Sequence, residues 1–115
     1  MMRDGSIGVA LVSRQVMVFQ TARSHTRRDR FLDVYTFVPF VGADPGVFLA
    51  TQVPKARITT SDILTVFPPA DVLRTRAPSA GMLKLPEEAF TEFNQICERT
   101  QERYERMWNA WAMSH

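Results

Sequence analysis

The run Arg57-Ile58-Thr59-Thr60-Ser61-Asp62-Ile63-Leu64-Thr65-Val66-Phe67 roughly alternates apolar and polar residues. Read as a strand, it turns Ile58, Thr60, Asp62, Leu64 and Val66 one way and Thr59, Ser61, Ile63, Thr65 and Phe67 the other. Both faces are mixed, which fits the closing strand of a small barrel better than a strand with one clean solvent face. Pro68-Pro69 ends it, because proline cannot donate to a ladder. Everything before this run reads as β. Almost everything after Leu85 reads as one long helix.

Upstream, Ile7-Gly8-Val9-Ala10-Leu11-Val12 and Gln15-Val16-Met17-Val18-Phe19 are two strands joined by a tight reversal at Ser13-Arg14, or one long bent strand. Gly5 and Gly8 leave room for a bulge or a close backbone approach. Gln20 to Arg30 is polar and basic without useful periodicity, so it reads as a loop in which His25 is solvated. Leu32 to Val41 is a central strand, apolar on both faces and therefore covered on both sides. Its ladder ends near Pro39. After the turn chemistry of Gly42 to Gly46, Val47 to Val53 is a further strand ended by Pro54.

Downstream, Ala70 to Leu73 is a short helical turn. Met82-Leu83 adds a short edge strand or packs beneath the barrel. Pro86 suits a first helical position, and Glu87 and Glu88 complement the helix dipole. Phe90, Phe93, Cys97, Thr100, Tyr104, Met107 or Trp108, and Trp111 then recur at three- and four-residue steps. The resulting helix would be about 40 Å long, more than a small barrel covers. Its last turns, with Tyr104, Met107, Trp108 and Trp111, are expected either to meet a second subunit or another protein, or to fold back on the barrel. Glu102 and Arg106 are spaced for an exposed ion pair.

The expected architecture is a single domain, mainly β with α: a barrel over residues 1–67, a connection over 68–85 and a C-terminal helix over 86–113. At 115 residues and 45% apolar content, a single core is affordable and disorder is excluded. Six arginines and His25 fall before residue 31, against only Asp4 and Asp29. Arg23, His25, Arg27, Arg28 and Arg30 therefore form either an RNA-binding surface or a solvated basic loop. Cys97 is the sole cysteine, so no intramolecular disulfide forms and a reducing, cytoplasmic compartment is expected. On an apolar helix face beside Ile96 it reads as a small buried hydrophobe. No signal-peptide pattern, membrane-length apolar run or metal-ligand spacing occurs, so no membrane, metal or cofactor is expected.

Five pieces, in order, resemble one known family. They are Met2-Arg3-Asp4-Gly5-Ser6-Ile7, Arg14 to Gln20, Val34 to Val41, Asp62-Ile63-Leu64-Thr65-Val66, and Gly81-Met82-Leu83-Lys84-Leu85-Pro86-Glu87-Glu88. Their order and spacing are similar to those of the MazF/PemK toxin ribonucleases. The resemblance implies an SH3-like barrel of the CcdB/MazF/PemK type, a homodimer, an antitoxin or other protein partner, and metal-independent cleavage of single-stranded RNA. It places the catalytic arginine at Arg14, where a guanidinium would hold the scissile phosphate; otherwise Arg14 is an ordinary turn cation. The family's catalytic threonine falls on Val41, which has no hydroxyl. Thr36 and Thr65 are the nearest substitutes, and neither matches the motif. The family's long loop between its first two strands is reduced here to Ser13-Arg14. The alternative is a catalytically inactive barrel that binds nucleic acid or protein, as inhibitor, adaptor or assembly subunit, with the tryptophan-bearing helix as its contact.

Overall fold

The computed structural model describes residues 2–41, 45–51, 55–75 and 81–114, apart from the side chain of Leu73. Among the described residues seven strands form one antiparallel sheet, and a long helix follows. The strands are β1 (Ile7–Val12), β2 (Gln15–Thr21), β3 (Phe31–Pro39), β4 (Val47–Ala50), β5 (Ala56–Thr59), β6 (Ile63–Val66) and β7 (Met82–Lys84). Helix α1 (Pro69–Arg74) lies between β6 and β7, and α2 (Glu87–Ser114) ends the described chain.

The reversal at Ser13-Arg14 is a two-residue hairpin. Val12 pairs Gln15, and both turn residues have positive φ, 49° and 68°. A two-residue hairpin turn with two positive φ angles matches strand twist, although neither residue here is the usual Asn or Gly. Gly8 is a point of close approach. A β-carbon there would lie 2.3 Å from the Thr65 carbonyl and 2.8 Å from the Phe19 ring. The β1–β6 register shifts at the next step, between Val9 and Ala10.

The run from Arg57 to Phe67 is not one strand. It is β5, a 3-10 turn over Thr60–Asp62, and β6. The Asp62 carboxylate accepts from the Thr59 N–H at 3.1 Å and from the Thr59 hydroxyl at 2.8 Å. Such local side-chain bonds compete with a ladder and break it. This interruption also leaves the expected barrel unclosed. β5 pairs only the first half of β3, and β6 pairs only β1, so the chain rather than a ladder spans the gap. At the other edge β7 pairs only β4, so part of the expected connection belongs to the sheet.

Two cores result. Ala10, Phe19, Leu32, Val34 and Ile58 fill the inside of the curled sheet. Ile7, Val9, Val18, Phe37, Phe48 and Leu83 pack on the opposite face against Ala89, Phe93 and Ile96 of α2. Phe48 and Phe93 meet edge to face at 5.0 Å. Thr65 donates to Glu92 at 3.1 Å, and Arg74 bridges Asp71 and Glu88, which ties α1 to the first turn of α2. The expected Glu102–Arg106 pair does not form; both residues are exposed, and Glu105 instead accepts from Gln101 at 3.4 Å. No described helix is long and apolar enough to cross a membrane.

Candidate functional site

β3 alternates its side chains between the two faces of the sheet. Leu32, Val34 and Thr36 point into the inner core, while Phe31, Asp33 and Tyr35 point outward. The expectation that this strand is covered on both sides holds only at Phe37, which packs with Phe93 and Ile96 of α2; Pro39 and Phe40 beyond it are exposed. The first half is open: Phe31 is 49% exposed and Tyr35 38% exposed. β5 extends the same open face, since Arg57 is the register partner of Asp33. The Arg57 guanidinium lies 5.9 Å from the centre of the Phe31 ring, within cation–π range.

Arginines gather beside Phe31. Arg23, Arg28, Arg30 and Arg57 line a polar recess of about 260 Å³ together with Asp29, Phe31 and Asp33. Asp33 organises it, accepting from Arg23 Nε at 2.9 Å and from Arg57 Nε at 3.4 Å. The hydrogen bond from Arg23, aided by that from Arg57, holds the Asp33 carboxyl below its ordinary value of 3.8. Arg23 also donates to the Ser24 carbonyl at 3.1 Å and lies 3.7 Å from Asp29. It therefore positions the loop more than it offers a free cation. Arg27, Arg28 and Arg30 remain exposed.

His25 departs from expectation. It is 1% exposed, so it leaves the RNA-binding set and is not solvated. Its backbone bridges Met2, and its Nε2 accepts from the Asp33 N–H at 3.1 Å. An accepting Nε2 puts the proton of the neutral ring on Nδ1, which is buried without a hydrogen-bond partner among the described residues. His25 thus fixes, from behind, the strand that displays Phe31 and Tyr35.

Arg14 lies elsewhere. It sits at the opposite end of β2 from the basic loop, about 20 Å away along the strand. It lines a groove of about 770 Å³ between the hairpin tip and α2, with Val16, Phe93, Cys97, Thr100, Tyr104 and Trp108 among its neighbours. Neither substitute threonine joins it. Thr36 is buried and shares a 2.6 Å hydroxyl hydrogen bond with Thr51, and Thr65 is spent on Glu92. Val41 is 92% exposed and carries no hydroxyl. The hydroxyls that do share the groove, Thr100 and Tyr104, come from the helix. Cys97 is half-buried in the groove wall, and burial pushes its thiol up, away from the reactive thiolate. Among the described residues no three His, Cys, Asp or Glu side chains are grouped to hold a metal ion.

The structure therefore joins Arg14 to two of the expected partner-contact residues, Tyr104 and Trp108, and separates it from the arginine loop. Reasoning from the sequence missed Phe31, Tyr35 and Arg57. The usable signal was Phe31-x-Asp33-x-Tyr35 at strand spacing beside a run of arginines. No family model matches the chain, and neither a curated protein nor a solved structure matches it.

Proposed function

We propose that this chain is a non-catalytic RNA-binding module that takes single-stranded RNA on the open face of β3 and β5. The observation that carries this reading is the pair of exposed rings, Phe31 and Tyr35, on one strand face, with Arg28, Arg30 and Arg57 beside Phe31. Side chains four residues apart on a strand lie about 13 Å from each other, which leaves room for separate bases. Aromatic platforms bind bases through their π-faces and tolerate sequence, while arginines track the phosphates. RNA, rather than DNA, comes from the MazF/PemK resemblance. Cleavage by Arg14 is disfavoured because Thr36 is buried, Thr65 is engaged by Glu92, and Val41 supplies no hydroxyl.

The test is equilibrium binding of a single-stranded RNA of about 12 nucleotides across a salt series, with the RNA ends mapped after incubation. The expected result is intact RNA and an affinity that falls with salt. Each phosphate contact removed by Arg28→Ala or Arg30→Ala should reduce the logarithmic slope by about 0.7. Defined cuts that disappear in Arg14→Ala would replace this reading with the ribonuclease. Salt-independent binding, or none, would end it.

A further inference from the structure

Asp29 is the one acid in the run from Arg23 to Arg30. A surface that only tracked phosphates would be weakened by it. The segment from Thr26 to Asp29 closes a turn. The Asp29 N–H donates to the Thr26 carbonyl at 3.1 Å, and Asp29 Oδ2 accepts from the Thr26 N–H at 2.9 Å. Arg23 lies 3.7 Å from the same oxygen. The turn does not require a carboxylate, since Asn or Ser would serve it. Oδ2 is held in place, while Oδ1 takes no hydrogen bond among the described residues.

The other carboxylate of the recess is spent: Asp33 has Arg23 on one oxygen and Arg57 on the other. Arg28 and Arg30 are the reverse case. Their guanidinium groups pair with no side chain among the described residues. The recess therefore joins one carboxylate with a spare oxygen, two uncommitted guanidinium groups and the ring of Phe31, which is 49% exposed.

We infer that this recess is a guanine subsite, an inference that rests on the reading of the β3–β5 face as an RNA surface. A base stacked at Phe31 turns its edges toward the groups around the ring. Guanine is the one RNA base whose Watson–Crick edge carries two donors side by side, N1–H and the N2 amino group. They match a carboxylate, whose two oxygens accept together, Oδ2 keeping a lone pair beyond the one given to Thr26. Next to those donors, O6 and N7 are the paired acceptors that a guanidinium takes bidentately, a role open to Arg28 or Arg30. Adenine, cytosine and uracil each set an acceptor against the carboxylate, lone pair facing lone pair. A bare phosphate would satisfy the arginines but would be repelled by Asp29. Size agrees: about 260 Å³ lies below the roughly 300–1,000 Å³ of pockets for drug-sized ligands, so the recess admits one base and not a longer piece of RNA.

Fluorescence anisotropy tests this with oligouridine of about 12 nucleotides and the same RNA carrying one central guanosine, adenosine or cytidine. The guanosine RNA should bind roughly 5- to 150-fold more tightly than the other three, the discrimination of one bidentate pair. Inosine, which lacks the N2 amino group, should bind more weakly than guanosine. Asp29→Asn keeps an oxygen for the Thr26 N–H. In that variant guanosine and inosine should bind alike, and affinity for oligouridine should not fall. A merely structural Asp29 would instead lower affinity for all four RNAs equally, and that result overturns the inference. So does a guanosine preference that survives Asp29→Asn. Wild-type protein that binds all four RNAs alike, or prefers another base, overturns the subsite and leaves the RNA surface standing. Binding of none of them ends both.

Discussion

Asp33 and His25 show how single residues build the candidate surface from beneath. His25 offers Nε2 to the Asp33 N–H, and the Asp33 carboxylate gathers Arg23 and Arg57 above it. His25→Ala removes that acceptor and leaves a part-buried N–H unpaired. It should cost about 1–3 kcal/mol for the lost partner alone, read from urea denaturation, with the cavity adding to it. Asp33 adds a pH dependence. Its carboxyl is held below 3.8 by Arg23 first and Arg57 after, so its contribution is fully present above that value. It is lost as pH falls through the lower folded-state value. Thermal melts of the wild type should therefore lose midpoint temperature faster than those of Asp33→Asn in the most acidic range. Equal slopes would remove Asp33 from the ledger. Sequence reading could not find the burial of His25, because it depends on Met2 crossing beneath the loop, a contact 23 positions away.

At the scale of elements, what was legible depended on whether the signal was local. The β1–β2 hairpin, α1 and α2 follow from alternation, proline placement and three-and-four spacing, and they stand where those signals put them. The break at Thr60–Asp62 was missed because alternation runs straight through it. The Thr-Thr-Ser-Asp run, rich in residues that bond their own backbone, was the competing signal. Asp62→Ala should cost about 1 kcal/mol in chemical denaturation, since Thr59 N–H loses its acceptor at a chain reversal. Helix α2 offers a sharper contrast along its length. Phe93→Ala, deep in the outer core, should cost about 3–5 kcal/mol. Met113→Ala, at a side chain 90% exposed near the end of the same helix, should stay within about 0.5 kcal/mol. Similar costs at the two positions would mean that the end of α2 packs on its own sheet.

Across the whole molecule, the chain separates arginines that the ribonuclease expectation assigns to a single RNA path. Arg14 stands at one end of β2 and the arginine loop at the other, and each keeps different company. Arginine richness before residue 31 was legible, but which arginines remain available was not. Arg23 is drawn to Asp33 by a register that composition does not reveal, and Arg57 joins the cluster from a strand 24 residues further on. The aromatic half of the surface was hidden because an apolar ring on a strand reads as core until the covering helix is known to stop at Phe37. The measurement that bears most directly on the proposed role compares single-stranded RNA affinity of the wild type with Phe31→Ala, Tyr35→Ala and Arg14→Ala at one fixed salt concentration. Each ring should contribute about 1–3 kcal/mol, a loss of roughly 5- to 150-fold, while Arg14→Ala changes affinity little. Loss of binding in Arg14→Ala with both ring variants unaffected would contradict the account and move the site to the groove beneath the helix.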